Sequence, residues 1–135
     1  MPGYEIRPET PSVEVYRHLR VAAGLSPKSA EAARAGLPGT WFGVVAYHDD
    51  GPVGMGRVIG DGGTAFQIVD IAVLPEHQGR GLGKAIMAAL MGALTERAPA
   101  TAYVSLIADG DAKHLYARFG FAETAPASIG MGRRL

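Results

Sequence analysis

The sequence predicts a mixed α/β fold, with a mixed central sheet of about six to seven strands flanked by about four helices. Three observations lead to this prediction. Strand-like apolar runs alternate along the chain with segments whose apolar residues recur at helical spacing. The apolar run "QIVDIAVLP" leads through a glycine-rich loop into the best helical pattern, "AIMAALMGAL". The 135 residues, 47% apolar and 19% charged, suit one domain spanning residues 1–135.

The first half of the chain is expected to contain a strand, two helices and a hairpin. "YEIRP" alternates and ends in proline, which is typical of a short strand. "PSVEVYRHLRVAAG" places apolar residues at helical spacing and ends in glycine. "SPKSAEAARAGLPG" indicates a second helix, with Ser26 as N-cap before Pro27. "HDDG" lies between two apolar runs, and its Asp-Gly pair predicts a hairpin.

The second half is expected to continue strand, helix, strand, helix, and to end in weak strands. "TAFQIVDIAVLP" is the most strand-like segment, and "LGKAIMAALMGALTERAP" is the clearest helix. "TAYVSLIAD" is apolar almost throughout, which predicts a strand buried on both faces. "GDAKHLYARFG" indicates a short helix that Gly120 ends. "FAETAPASIGMGRRL" suggests one or two weak strands, giving the order β-α-α-β-β-β-α-β-α-β-(β).

Charge and composition exclude several function classes. The 13 basic and 13 acidic residues cancel, which disfavours a nucleic-acid partner or a charged membrane surface. The chain has no cysteine, so disulfides, cysteine-bound zinc and a thiol nucleophile are excluded. No apolar run reaches the length of about 18 residues that a spanning helix needs. The N-terminal "MPGYEIRPET" has no signal-peptide core. We therefore expect a cytoplasmic protein that binds neither membranes nor nucleic acids.

The loop "HQGRGLGK", residues 77–84, is the main functional signal. Its glycines permit positive φ and close backbone approach, and the following helix N-terminus offers unpaired N–H groups. This combination suits a phosphate group, and Arg80 and Lys84 add positive charge. The dinucleotide pattern G-x-G-x-x-G fails at Lys84, and the P-loop pattern fails at Gln78 and Ala85. A plain tight turn is the alternative interpretation.

Two motifs resemble the GNAT superfamily of N-acetyltransferases. "VDIAVLPEHQGRGLGKAIMAAL" is similar to the superfamily's acetyl-CoA motif, Q/R-x-x-G-x-G/A, at Gln78, Gly81 and Gly83. "LYARFGF" resembles its second landmark, and one helix and one strand separate the two motifs as expected. The resemblance extends loosely from Tyr4 to the C-terminus and is specific from Ile68 to Phe121. It implies a GNAT-like fold.

The resemblance implies acetyl-CoA as the co-substrate. In the superfamily, the CoA pyrophosphate lies on the loop amides, and the pantetheine arm pairs with the preceding strand. The carried-over binding residues are Ile71, Ala72 and Val73 for the arm, and Gln78, Gly79, Arg80, Gly81, Leu82, Gly83 and Lys84 for the pyrophosphate. Many relatives have an arm-contacting Asn where this chain has Asp109 and Asp111. Asp111 is a candidate contact, or alternatively a helix cap.

Tyr116 is the candidate catalytic acid. Transfer of an acyl group from a thioester to an amine expels a thiolate, and a phenol with a pKa near 10 can protonate it. A tyrosine at this position often has that role in the superfamily. The alternative is a packed aromatic side chain, like its neighbours Leu115, Phe119 and Phe121.

Asp70 is the second candidate catalytic residue. An acidic residue in so apolar a run is costly unless it is paired or functional. Relatives often carry an acidic pair here, whereas this chain has Val69 before Asp70. Three roles stay open for Asp70: a base acting through water, an anchor for a cationic amine, or a structural hydrogen-bond acceptor.

The remaining assignments are weaker. Candidate substrate contacts are Trp41, Tyr47, Arg57, His114 and Arg133. The four histidines show no metal-ligand spacing, so no metal is predicted. With no cysteine to carry an acyl group, direct transfer in a ternary complex is expected.

The predicted function is acetyl-CoA-dependent acetylation of a primary amine on a small molecule. One alternative is a CoA-binding regulatory or interaction module with weak catalysis, and another is a lysine or N-terminal protein acetyltransferase. The identity of the amine and the length of the acyl group are left open. Dimerisation is common in the superfamily, so the resemblance implies a possible homodimer, although no sequence feature requires one.

Overall fold

A computed structural model describes residues 2–135 and contains five strands and four α-helices. The strands are β1 (Tyr4–Arg7), β2 (Phe42–His48), β3 (Gly51–Gly60), β4 (Ala65–Val73) and β5 (Tyr103–Leu106). The helices are α1 (Val13–Ala22), α2 (Ala30–Gly36), α3 (Leu82–Arg97) and α4 (Ala112–Ala117). Short 3₁₀ turns follow α2 and precede the glycine loop. No helix among these residues is both long and apolar enough to cross a membrane.

The strands form one mixed sheet in the order β1-β2-β3-β4-β5. The first four strands are antiparallel neighbours, and β5 pairs in parallel with β4. A parallel pair needs a crossover, and α3 supplies it. This places the loop before α3 at the carboxyl end of β4, beyond the last residue that pairs with β5.

The sheet has a core on each face. On one face α3 buries Leu82, Ile86 and Leu90 against side chains of the central strands. On the other face α1 and α2 contribute Tyr16, Leu19, Ala33 and Leu37, which pack against Met55 and Ala72. The buried α3 positions recur every three to four residues, as the sequence pattern predicts.

The hairpin and the second helix form with shifted boundaries. The hairpin turn is centred on Asp49 and Asp50, both at positive φ, rather than on the predicted Asp-Gly pair. The N-cap of α2 is Ser29, whose hydroxyl accepts from the Ala32 amide at 3.0 Å, so the prediction of Ser26 is wrong. Ser26 instead accepts two hydrogen bonds from Arg20, at its carbonyl and at its hydroxyl, and lies outside the helix.

The end of the chain differs most from expectation. No strand forms after α4, so the sheet of the described residues has five strands rather than six or seven. The segment 122–135 is exposed throughout and contains Pro126 and two glycines, which weaken strand formation. β5 is therefore an edge strand: Tyr103 is 62% exposed, and the prediction that this strand is buried on both faces is wrong.

Candidate active site

The glycine loop enters α3 through two residues in the left-handed region. Gly79 has φ +75° and Gly81 has φ +84°, and Gly81 is the N-cap of α3. A Cβ atom added to either residue would meet no atom within 4 Å, so the space above the loop is open. No side chain caps the helix. The first amides of α3 therefore have no side-chain cap among the described residues, which leaves them available to an anion.

The other predicted residues of the loop lie in three settings. Gln78 contacts β4, Arg80 and Lys84 are exposed cations, and Gly83 lies in the first turn of the helix. Gln78 folds back, and its Nε2 donates to the Val73 carbonyl at 3.0 Å, which ties the loop to the end of β4. Arg80 and Lys84 are exposed beside the loop. Gly83 lies in the first turn of α3 without positive φ, and a Cβ there would make an ordinary 3.6 Å contact with Leu115.

The start of the loop is anchored to β1. The Tyr4 hydroxyl lies 2.7 Å from Nδ1 of His77, the last residue of the 3₁₀ turn before the loop. His48 lies against both rings, with centroids 4.5 Å from Tyr4 and 5.0 Å from His77. His77 is half-buried by these contacts, so the loop begins from a fixed point.

The carboxyl half of β4 has one free edge. β5 pairs with β4 only from Ala65 to Ile68, opposite Tyr103 to Leu106. β3 pairs with the other edge of β4 as far as Val73. Among residues 2–135, the three predicted arm-binding residues, Ile71, Ala72 and Val73, thus have a strand partner on one side only. Their free edge leads towards the glycine loop, where an extended amide-bearing ligand can add to the sheet.

A β-bulge lies at the start of this free edge. Met55 is opposite Ala72 and Arg57 is opposite Val69, so Asp70 and Ile71 together face Gly56. Asp70 has φ +59°, which is uncommon for any residue other than glycine. A bulge of this kind bends the strand and re-aims its neighbours.

The Asp70 carboxylate is buried between two arginines. Oδ1 accepts from Nη1 of Arg20 at 2.5 Å and from the Tyr16 hydroxyl at 3.3 Å, and Oδ2 accepts from Nη1 of Arg57 at 2.7 Å. Side-chain exposure is 7% for Asp70, 10% for Arg20 and 8% for Arg57. Burial, followed by the charge of Asp70, raises the pKa of Tyr16, so its hydroxyl stays protonated and donates.

The two arginines are themselves held by the surrounding loops. Nε and Nη2 of Arg20 donate to the carbonyl and hydroxyl of Ser26. Nε of Arg57 donates to the Thr40 hydroxyl at 2.8 Å. Two guanidinium groups and one carboxylate give this buried cluster a net charge of +1. We call Arg20, Asp70 and Arg57 the arginine clamp.

Tyr116 lies half-buried on α4, packed against the α3 face of the sheet. Burial raises the pKa of its phenol, and the nearby charge of Asp109 raises it further. The phenol is therefore protonated at neutral pH and able to donate. Within residues 2–135 no hydrogen-bond partner occupies its hydroxyl. Asp111 lies at the N-cap position of α4, but its side chain makes no capping hydrogen bond.

A groove of about 730 Å³ borders Tyr116. Its walls come from β5, α4 and the C-terminal segment, and include Leu106, Ile107, His114, Phe121 and Ile129. The glycine loop and the free edge of β4 do not line it. The groove is therefore separate from the predicted CoA-binding segments, although it shares Tyr116 with the candidate site.

The five weaker substrate candidates do not converge on one place. Trp41 packs edge-on against Phe66 with ring centroids 4.8 Å apart. The Tyr47 hydroxyl donates to Glu9 at the exposed end of β2. Arg57 belongs to the arginine clamp, His114 lines the groove, and Arg133 is exposed in the C-terminal segment.

Sequence reasoning missed Tyr16 and Arg20 as site residues. Both lie on α1, where their spacing of four residues puts them on one helix face. An arginine on a face otherwise made of Tyr16, Leu19 and Ala23 was the available signal, since a buried cation needs a partner. Among residues 2–135 no group of three or more His, Cys, Asp or Glu side chains lies together to hold a metal ion.

Comparison with solved structures finds proteins of the same fold. A 1.7 Å crystal structure from meticillin-resistant Staphylococcus aureus, of a protein of unknown function described as a probable acetyltransferase, is 48% identical with a TM-score of 0.93. The match covers 98% of this chain and 99% of that one. A GNAT-family acetyltransferase of Streptococcus pneumoniae shares the fold at 24% identity and a TM-score of 0.78, over 98% of this chain and 97% of that one.

Sequence comparison leads to the same family. "GCN5-related N-acetyltransferase 2, chloroplastic" of Arabidopsis thaliana is 39% identical over 77 residues, or 57% of this chain. The matched region spans only 29% of that relative's length. The family model described as "Acetyltransferase (GNAT) domain" matches residues 40–123, which include the bulge, the free edge, the glycine loop and Tyr116. The chain therefore belongs to the GNAT family of acetyltransferases.

Proposed function

We propose that this protein transfers the acetyl group of acetyl-CoA to a primary amine of a small molecule. One observation supports this most strongly: the free edge of β4 leads directly into a left-handed glycine loop with open space above it. An extended ligand with amides at one end and a pyrophosphate at the other matches this sequence of features. In this proposal Ile71 to Val73 pair with the pantetheine arm, and the amides from Gly79 to Lys84 hold the pyrophosphate.

The proposed chemistry is direct attack in a ternary complex. The neutral amine nitrogen bonds to the thioester carbonyl carbon, the carbon–sulfur bond breaks, and the sulfur leaves as a thiolate. Tyr116 gives its phenolic proton to that thiolate, and the proton lost by the amine passes to solvent and restores the phenol. A backbone amide at the bulge is suited to stabilise the carbonyl oxygen as it gains charge. Burial raises the pKa of the Tyr116 phenol, so the proton that it would give to the thiolate is present at neutral pH.

Calorimetric titration with acetyl-CoA tests the binding half of the proposal, with desulfo-CoA and ATP as controls. Saturable micromolar binding of acetyl-CoA is expected, and much weaker binding of ATP, which lacks the pantetheine arm. A panel of small amines, followed by release of free thiol, tests the transfer. The absence of acetyl-CoA binding would refute the proposal.

The alternative is a CoA-binding module with little catalysis. The observation that favours it concerns Asp70, the only acidic residue of β4. Both oxygens of its carboxylate accept hydrogen bonds from guanidinium groups. Such a carboxylate is not free to take a proton from an amine. Tight binding of acetyl-CoA without thiol release for any small amine or lysine peptide would support this alternative. Light scattering would test the homodimer that the family resemblance allows.

A further inference from the structure

The conformation of Asp70 is costly and needs an explanation. A left-handed backbone at a residue with a side chain is disfavoured about 5- to 30-fold relative to a right-handed one. Aspartate tolerates this region better than most residues, but it does not prefer it. Something in the surrounding structure must therefore hold Asp70 at φ +59°.

The bulge changes which face each β4 side chain meets. Phe66 and Ile68 pack in the core under α3, and so do Ile71 and Val73, which lie at odd spacing from them. A regular strand would alternate, so it would turn Ile71 away from α3 and point Asp70 into that apolar core. The one extra residue reverses this pattern. It also shifts by one residue which backbone amides reach the free edge.

The ion pairs of the arginine clamp favour this arrangement. Arg20 comes from α1 and Arg57 from β3, so the carboxylate joins the bulge to a helix on the sheet's other face and to the neighbouring strand. Removing Asp70 would leave two buried guanidinium groups without a counter-charge, which is strongly unfavourable. Both oxygens of this carboxylate accept hydrogen bonds from buried side chains, so neither is directed at a substrate amine, and the geometry disfavours a role as general base.

We propose that Asp70 is a positioning residue rather than the general base, and that Arg20 and Arg57 hold it so that the bulge presents the β4 amides in phase with the pantetheine arm. The catalytic consequence rests on the proposed function. The conformational part, that the clamp holds the bulge, stands without it.

Three substitutions of Asp70 separate the two roles. Asp70→Asn keeps one acceptor oxygen and tolerance of positive φ, but it removes the counter-charge and cannot act as a base. We expect it to unfold at lower urea and to bind acetyl-CoA more weakly, while kcat at saturating acetyl-CoA stays within about tenfold of the wild type, whereas loss of a general base costs about 10²- to 10⁴-fold. Asp70→Gly and Asp70→Ala lose the same contacts, but only glycine takes positive φ freely. We expect Asp70→Gly to bind acetyl-CoA at least about fivefold more tightly than Asp70→Ala, or to unfold at higher urea.

The arginines are tested separately, because loss of Asp70 alone can unfold the chain. Arg20→Met and Arg57→Met each leave a neutral Asp–Arg pair in the cluster. Arg17→Met is the matched control, since Arg17 is also on α1 but is exposed and bonds only the Lys28 carbonyl. We expect both clamp variants to unfold at lower urea and to bind acetyl-CoA more weakly than this control, with a larger change in affinity than in kcat.

Two results would overturn the clamp. One is an Asp70→Asn variant that binds acetyl-CoA as tightly as the wild type but has its turnover reduced 10²-fold or more. The other is a pair of arginine variants that match Arg17→Met in both unfolding and affinity. If the wild type itself does not bind acetyl-CoA, the proposed function fails, and the urea series alone still decides whether the clamp holds the bulge.

Discussion

Gly81 offers a sharp test of the glycine loop. It lies at φ +84° as the N-cap of α3, and a Cβ there meets no atom within 4 Å. Gly81→Ala therefore introduces backbone strain but no clash in the free protein. A left-handed alanine costs about 1–2 kcal/mol. The smaller entropy of the unfolded alanine chain returns about 0.4–1 kcal/mol. The expected net loss of stability is about 1 kcal/mol.

Gly83 provides the matched control two residues later. It lies inside the first turn of α3, without positive φ, and its Cβ would make only an ordinary contact with Leu115. Alanine in a helix is favoured over glycine by about 0.5–1 kcal/mol. Gly83→Ala should therefore be neutral or stabilising. The two variants should differ by about 1–2 kcal/mol in the free energy of unfolding, which urea titration measures directly.

Ligand affinity gives the second half of this prediction. A Cβ at Gly81 would occupy the open space where the pyrophosphate is proposed to lie, so Gly81→Val should lose acetyl-CoA binding in calorimetry. Gly83→Ala should retain more affinity than Gly81→Ala. If Gly81→Ala were as stable as Gly83→Ala and bound acetyl-CoA as well, the conformational argument for this loop would be wrong.

Three further predictions concern other parts of the chain. Tyr116→Phe should lower turnover about 10²- to 10⁴-fold with little change in acetyl-CoA affinity. Unchanged turnover in this variant would remove Tyr116 from the mechanism. Because burial raises the pKa of this phenol, the wild-type phenol should stay protonated up to pH values above the ordinary 10. Gly56→Ala should destabilise the fold by about 1–3 kcal/mol in urea titration, since its Cβ would lie 2.7 Å from Ile86 Cγ2. A variant as stable as the wild type would show that α3 can shift away from the bulge. Asp61 accepts from the Thr64 hydroxyl and from backbone amides, which lowers its pKa from the ordinary 3.8, so its stabilising contribution is present above that pH and is lost on acidification. The unfolding midpoint of Asp61→Ala should approach that of the wild type below pH 3.8, and a constant difference down to pH 2 would contradict this assignment.

Local patterns predicted the regular part of the fold well. The order from β1 to α4 was predicted because each element carries its own period: alternation in β1, helical spacing in α3, and turn residues between β2 and β3. The observed boundaries of the elements differ from the predicted ones where tertiary contacts outweigh local sequence preferences. The sequence pattern predicted Ser26 as the N-cap of α2, but Ser26 accepts hydrogen bonds from Arg20 outside the helix and Ser29 caps it.

The chain end shows where local reasoning stops. A strand after α4 needs a partner, and the sequence does not show whether the outer edge of β5 receives one. In the described structure, residues 122–135 do not pair with it. Burial of β5 was overestimated for the same reason. An apolar run in a sequence does not distinguish a central strand from an edge strand.

The part of the candidate site that could be predicted from the sequence is the part formed by backbone groups. The glycine loop was predicted because glycine spacing reports on backbone conformation directly, whereas the pairing edge of β4 was predicted from the family resemblance. The arginine clamp was not, since Arg20, Arg57 and Asp70 are separated by 37 and 13 positions and only the folded sheet brings them together. The three roles left open for Asp70 reflect this: its chemistry depends on partners that no local pattern reveals.

The most direct test of the central claim is an NMR titration of the ¹⁵N-labelled wild type with acetyl-CoA. We predict that the amide signals of Ile71 to Val73 and of Gly79 to Lys84 shift together with one saturation curve. Amides of the turn from Asp61 to Thr64, at the opposite end of β4, should stay unchanged. Saturable binding that leaves both segments unperturbed, or no binding at all, would contradict the claim that these backbone groups form an acetyl-CoA site.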